Sequence, residues 1–393
     1  MTTVATSQDR LANLDFTRHN EEARQVNDAM HAGKPIRVPV AVGTATRYFI
    51  FNDQANPAHI PFQKFIEDPD VMFDCKLAFH RWMQFNILRD DVLGMPEFWP
   101  MSVDFQNFYE AAWFGCPIHY MDDQVPDTTP AFVDVPERVM EHGIPDPFGG
   151  LMGKVLEYWE YFQQRAAKET YFDRPIKVVS PGSGMGTDGP MTVACNLFGP
   201  NFVCETMMEE PERLERLLSF ITEATLTRMI AWRKRVGIPY PTDGFGIADD
   251  SIAMISTDAY RRHILPHHRK MFDTMGTGVN CGVHLCGDAT RHFKTLRDEL
   301  KVQSFDTGFP VDFAAIRREL GPNVHISGGP HVDLVLNGTP QEVFAECRRV
   351  LTSGIMEGGR FLLREGNNLA PYTPLENTEM MLAASRQFGV YPK

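Results

Sequence analysis

What most limits how this chain can fold is a rhythm that sets in at Pro175 and runs to the C-terminus: short β-rich apolar runs, each followed by a helical stretch. Ile176 to Val179 reads as a strand, followed by a Gly-rich turn and a helix near 188–198. Residues 211–236 form a long helix with Pro211 in its first turn, where a missing N–H costs no hydrogen bond. A strand at 244–248 leads to Asp249-Asp250 and a helix over 257–275, and a strand at 282–285 to a helix over 290–300. Strands at 304–307, 324–327 and 360–363 follow, with helices over 311–319, 340–353 and 376–388. Two earlier runs, 36–42 and 99–105, bring the count to about eight, which with this alternation predicts an α/β fold, a (β/α)8 TIM barrel, over an open doubly wound sheet.

The N-terminal half is less regular. Residues 17–32 make a polar amphipathic helix stopped by Gly33 and Pro35, an N-terminal helical extension, and residues 1–15 before it read as frayed. Helix 69–89 is rich in Phe, Met and Trp, as suits core or a subunit interface, which leaves room for a homodimer. Residues 117–150 are crowded with Pro, Asp and Gly and read as an irregular insertion, a lid or an interface segment. Core strands continue on both sides of it, so 1–393 is expected to be a single barrel domain.

In such a barrel the chemistry sits where strands end and loops begin. His284 and Cys286 stand two apart at the end of a strand, so both side chains leave one face and can grip one zinc ion. The competing reading is a buried small Cys beside a satisfied core His. Asp306 ends the neighbouring strand, and its carboxylate can reach the same point. Asp249 and Asp250 are either a helix N-cap pair or catalytic carboxylates; the next helix begins only near Thr257, which favours the second. Glu365 and Asn367 line the exit of the last strand, and His331 follows Gly328-Gly329-Pro330 on a loop; these are the substrate-binding candidates, with a solvated loop as the alternative for His331. Arg47-Tyr48 suits either an anionic substrate group or a surface ion pair. The Gly-rich Ser180–Gly186 run lacks the Lys-Ser/Thr of a P-loop and reads as a plain strand-to-helix loop.

Composition narrows the function classes. A formal net charge of −13 argues against nucleic acid or an anionic membrane as partner, because both select basic patches. No run approaches the roughly 18 apolar residues needed to cross a bilayer. Seven scattered cysteines are not a disulfide framework and point to a reducing, cytoplasmic setting.

Several short segments, in order, resemble the uroporphyrinogen decarboxylase superfamily, which also contains zinc-dependent methyltransferases acting with corrinoid proteins. They are Gly33-Lys34-Pro35 with Val38-Pro39-Val40, Gly189-Pro190-Met191-Thr192, Glu209-Glu210-Pro211-Glu212, Ala248-Asp249-Asp250-Ser251, Ile264-Leu265-Pro266, His284-Leu285-Cys286-Gly287, Gly338-Thr339-Pro340-Gln341-Glu342-Val343 and Thr373-Pro374-Leu375-Glu376-Asn377. The resemblance covers nearly the whole chain and implies a (β/α)8 barrel. The decarboxylases carry Arg-Gln-Ala-Gly-Arg-Tyr after the first strand; here Gly43-Thr44-Ala45-Thr46-Arg47-Tyr48 keeps only the second Arg. Their Asp beneath the pyrroles has no match between Phe105 and Gly115, Asp104 being nearest. The methyltransferase branch resembles the chain better at His284-Leu285-Cys286, although its third ligand, a Cys, is matched by Asn367.

The resemblance therefore implies a methyltransferase-like enzyme. It would move a methyl group between a small methylated substrate (a methoxy-aromatic, methylamine or thiol) and a corrinoid (cobalamin) protein or tetrahydrofolate. Zinc would be held by His284, Cys286 and Asp306, with Asp249, Asp250, Arg47 and Tyr48 as catalytic residues. Two alternatives keep the barrel: a metal-free decarboxylase or lyase acting on a small carboxylate or tetrapyrrole, and a non-catalytic barrel that binds a corrinoid or tetrapyrrole.

Overall fold

Parallel pairing of short strands builds the centre of the molecule. The computed structural model describes residues 9–122 and 124–392. Five strands form one parallel sheet in the order Phe361–Leu363, His325–Gly328, Ser304–Thr307, Gly282–Leu285, Gly246–Ala248. At one edge the first apolar run extends it: Leu363 N donates to Pro39 O and Ala41 N to Leu363 O, both at 3.0 Å. At the other edge residues 187–189 pair with Ala248. A second sheet sets Trp99–Met101 parallel to Arg174–Val178, with Thr170–Tyr171 antiparallel beyond. Helices follow the strands, and the expected α/β barrel architecture is what the chain builds.

Register decides which side chains meet. Ala248 is paired with His284, His284 with Asp306, Asp306 with Ser327 and Ser327 with Leu362. Paired residues in parallel strands leave the same face of the sheet, and their sequence neighbours leave the other. Ile247, Val283, Phe305, Ile326 and Phe361, one residue earlier in each strand, are all buried beneath the helices. The Ala248–His284–Asp306–Ser327 row therefore faces the barrel interior. Buried apolar residues from Val38 to Ala384 form one cluster around this frame.

Several expected bounds shift. The strand expected over 99–105 stops at Met101. The helix expected over 257–275 is Thr257–Ala259, a π-turn at Tyr260–Ile264, and Leu265–Met275. The stretch 117–150, expected to be irregular, contains an antiparallel hairpin, Ile118–Met121 with Gln124–Thr128, and a 3-10 turn at Pro136–Met140. Of the segment expected to fray, residues 1–8 lie outside the described residues. Residues 9–15 are held: Leu11 is buried, Asp9 pairs with Arg81 at 2.7 Å, and Arg10 reaches Glu376 and Glu379 of the last helix at 2.7 and 2.8 Å. Among the described residues no helix is long and apolar enough to cross a membrane, and the seven cysteines are free thiols.

Candidate metal centre and active site

The strand Gly282–Leu285 and the turn after it put His284 and Cys286 side by side, the imidazole Nε2 lying 3.1 Å from the sulfur. The other ring nitrogen, Nδ1, is 2.7 Å from Asp306 Oδ2, the register partner on the next strand. Arg364 Nη1 donates to the same oxygen at 3.1 Å and its Nη2 to Glu365 Oε1 at 3.2 Å. From the other side Asp250 Oδ1 accepts the backbone N–H of Cys286 at 2.6 Å. Asp250, His284 and Cys286 each offer a ligand atom, and these atoms all lie within 4.8 Å of one another.

That donor set suits a zinc ion. A nitrogen, a thiolate sulfur and a carboxylate oxygen make the three protein ligands of a catalytic site, leaving one position open. Nitrogen and sulfur bound tetrahedrally to one zinc stand roughly 3.5 Å apart, so the 3.1 Å pair needs a small opening and no rearrangement. Asp306 is placed to hold the imidazole from behind, as carboxylates do for metal-bound histidines, rather than to bind the ion itself. Hydrogen bonds to Asp306 and then to Cys286 push His284 up to about 10, an imidazolium whenever no cation replaces the Nε2 proton. Asn367, standing where the resemblance expects a Cys, turns its amide nitrogen to the sulfur at 3.3 Å while its oxygen accepts from Asn368 N at 2.8 Å. In this orientation it is a donor to the sulfur and not a metal ligand.

The other expected residues divide. Asp249 is buried and fully engaged: Oδ1 accepts from Thr192 N and Thr192 Oγ1, both at 2.7 Å, and Oδ2 lies 2.7 Å from His268 Nε2 and accepts from Met191 N at 3.3 Å. It caps a helix, but that of Pro190–Phe198 rather than one following it in sequence. Tyr48 points away from the cavity, its hydroxyl donating to Thr373 O at 2.8 Å, and burial pushes it up to about 12. Arg47 has no hydrogen-bond or ion-pair partner for its guanidinium among the described residues, and its Nε is buried. Burial lowers its affinity for the proton against the pull of Asp104 and Cys286, which places this cation near the thiol. His331 accepts from Asp333 N at 2.9 Å as the cap of helix Val332–Asn337 and stacks on Phe309, a local structural role. Glu365 is wholly buried and pushed up to about 7 by that burial.

Sequence reading did not single out Arg364, which ties Asp306 to Glu365, or Asp188, which joins the interior row through its pairing with Ala248. Strand alternation could have flagged Arg364 as a charged residue at a strand end. Asp188 carried no such signal, because it lies beyond the third strand in the Gly-rich connection.

Comparison with known proteins shows what the chain as a whole is similar to. The family described as "Uroporphyrinogen decarboxylase (URO-D)" matches residues 22–388. The methylated-thiol–coenzyme M methyltransferase of Methanosarcina mazei is 26% identical over 204 residues, 50% of this chain and 51% of its own length. A methylcobamide:CoM methyltransferase of Methanosarcina acetivorans is 24% identical over 295 residues, 73% of this chain and 79% of its own. A uroporphyrinogen decarboxylase of Pelobacter propionicus is 26% identical over 200 residues, 49% of this chain and 56% of its own. The chain thus spans about half the length of two of these three relatives. Among solved structures, a methyltransferase from Methanosarcina mazei superposes with a TM-score of 0.60 at 19% identity, covering 93% of this chain and 98% of that one, a likeness of fold.

Proposed function

This chain belongs to the uroporphyrinogen decarboxylase (URO-D) family, and from that premise we propose that it is a zinc-dependent methyltransferase, cytoplasmic, moving a methyl group between a small methylated substrate and a corrinoid protein or folate. The observation that carries the reading is the convergence of Asp250, His284 and Cys286 at the C-terminal end of the barrel. Zinc there would act as a Lewis acid, drawing charge from the heteroatom that carries the methyl group. Asp306 fixes the ring of His284, and Arg364 fixes Asp306. Asn367 and Arg47 add positive potential near the sulfur, and Arg47, without a hydrogen-bond or ion-pair partner among the described residues, is placed to receive an anionic group of the substrate. The named activities of the methyltransferase relatives favour this branch.

The decarboxylase reading finds less support. Gly43 stands where the decarboxylases carry their first Arg, and a Cβ there would lie 2.3 Å from Arg364 Nη2 and 2.4 Å from Glu365 Oε1, so a side chain at this position would have to displace the Arg364–Glu365 pair. Asp104, the nearest carboxylate to the missing pyrrole-binding acid, is taken up by Lys76 at 3.2 Å and Thr46 Oγ1 at 2.5 Å.

The test is metal analysis of protein purified without chelator, combined with methyl transfer from methylcobalamin to small thiols and phenols. We expect about one zinc per chain, lost in His284→Ala and in Cys286→Ala, and weakened about 10- to 100-fold in affinity by Asp306→Asn. Metal far below one per chain in the wild type, or zinc kept by His284→Ala, would sink the proposal.

A further inference from the structure

Cys286 sets a strong nucleophile at the metal centre, half-buried beside His284. A site that handles a reactive methyl group invites a side reaction there. The thiolate sulfur gives an electron pair to the methyl carbon, and a sulfur–carbon bond forms. The bond from that carbon to its donor atom breaks, and both of its electrons stay on the donor. The product is an S-methylcysteine, a neutral thioether in place of an anionic ligand. A thiolate keeps lone pairs when it binds a metal, so coordination alone does not prevent this.

Two groups reach the sulfur among the described residues, His284 Nε2 at 3.1 Å and Asn367 Nδ2 at 3.3 Å. A bound zinc takes Nε2 for itself, and the contact with Asn367 is the one that it leaves in place. The orientation of the amide is set by its other end, where Oδ1 accepts from Asn368 N at 2.8 Å. Turned about, the amide would set its NH2 against that N–H and its oxygen against the sulfur lone pairs. The loop that carries it is fastened on either side and from below. Gly366 N donates to Pro330 O at 3.0 Å, Leu369 N to Gly43 O at 2.8 Å, and Arg364 Nη2 to Asn367 O at 3.3 Å. None of these bonds involves a metal ligand, so the donor is delivered to the sulfur by the fold itself. A cysteine at 367 would join Asp250, His284 and Cys286 to close a tetrahedral set and would bring a second sulfur open to methylation. Asparagine leaves the fourth position open and supplies a hydrogen bond instead.

We propose that the amide of Asn367 guards Cys286 against methylation by the protein's own methyl donor, so that the group passes between substrate and acceptor and not on to the enzyme. The N–H···S bond draws charge from the sulfur. In the transition state for methylation the sulfur has given part of that charge to carbon, so the bond is stronger before the step than during it, and the barrier rises. A sulfur that donates less also leaves a bound zinc the stronger Lewis acid, which serves the chemistry proposed for the centre. Asn367 thus acts through Cys286 and not on the substrate. The competing reading, an amide that only ties the last loop to the strand of His284, predicts no effect on the sulfur.

The inference rests on the methyl-transfer reading, and its test needs no turnover. Zinc-loaded wild type, Asn367→Leu and Asn367→Ala are treated with iodomethane. Methylation of Cys286 is followed by mass spectrometry of its peptide, with Cys204, a half-buried thiol on helix Pro200–Glu209, as internal standard. Leucine is close to asparagine in shape but has no donor, so it does not open the site. Methylation of Cys286 relative to Cys204 should be about tenfold faster in Asn367→Leu, the rate equivalent of one hydrogen bond to a charged acceptor. With cobalt(II) in place of zinc, the sulfur-to-metal charge-transfer band should move to longer wavelength in both variants, because the sulfur lone pairs rise in energy without the donor. That band does not depend on access to the site, so Asn367→Ala carries the test if Asn367→Leu does not fold. Both readings unchanged at full metal content would overturn the proposal while leaving methyl transfer standing. Zinc lost from Asn367→Leu at an unchanged thermal midpoint would overturn it too, by making Asn367 a metal ligand through its oxygen. A wild type that binds no zinc would instead remove the reading beneath it, and the guard with it.

Discussion

The carboxyl group of Glu365 is wholly enclosed; one oxygen accepts from Gly43 N and Arg364, and the other has no partner among the described residues. Burial lifts it from an ordinary 4.5 to about 7. Below about 4.5 the group is protonated folded and unfolded, so its full contribution to stability is present there. As pH rises toward 7 the unfolded chain ionises first, and that contribution is lost by at most about 3 kcal/mol. In urea unfolding the stability of Glu365→Gln relative to wild type should therefore rise between pH 4.5 and 7, as the glutamate's contribution is lost from the wild type alone; a difference that does not change with pH would refute the assignment. At this scale the sequence was legible where one strand supplied the signal, as the two-residue spacing of His284 and Cys286 did. Asp250 as their neighbour, and Asp306 behind the ring, depend on register between strands, which no single segment encodes.

Helix Pro190–Phe198 begins at Gly189 with no capping side chain of its own. Asp249 supplies the cap from the next strand, and a Cβ at Gly189 would collide with that carboxylate at 2.2–2.4 Å. His268 and Tyr260 back it, with Tyr260 Oη 3.1 Å from His268 Nδ1. Residues eight apart on an α-helix point about 80° away from each other. The π-turn at Tyr260–Ile264 inserts the extra residue that brings these two onto one face. Asp249→Ala strips acceptors from two backbone N–H groups, a hydroxyl and an imidazole, and should cost about 3–5 kcal/mol in urea unfolding. Asp250→Ala should cost about 1–2 kcal/mol but remove zinc. Equal stability losses in both would contradict this division of the pair into structural and ligand roles. Elements with strong terminal signals were legible: the helix Pro211–Val236 has the bounds read for it, with Pro211 in its first turn, and Gly237 closes it in the left-handed conformation. The hairpin at 118–128 was not, because its strands are only four and five residues long and Pro126 sits inside one of them.

The two ends of the chain are fastened to each other at a point far from the chemistry. Arg37 forms a two-pronged pair with Asp90, both contacts 2.7 Å, and reaches Glu22 of the first long helix at 3.1 Å and Ser385 of the last at 3.0 Å. Asp90 also accepts from Val40 N at 2.8 Å, and Arg386 holds Glu22 at 2.9 Å. One buried guanidinium thus joins the N-terminal extension, the first apolar run and the closing helix. Barrel alternation and the long resemblance made the overall architecture legible, but not this clasp, whose partners are up to 348 residues apart. Arg37→Ala leaves the Asp90 carboxylate buried and unpaired, which should cost about 3–5 kcal/mol. Arg37→Lys should recover only part of that, since an ammonium cannot span both carboxylate oxygens. Removing both charges, as Arg37→Met with Asp90→Ala, should restore more stability than the lysine, because no stranded ion remains. All three variants should keep a full complement of zinc while folded, since the metal ligands lie on or just after strands whose register this clasp does not set. Loss of metal without loss of stability in Arg37→Ala would mean that the clasp and the active site are coupled after all.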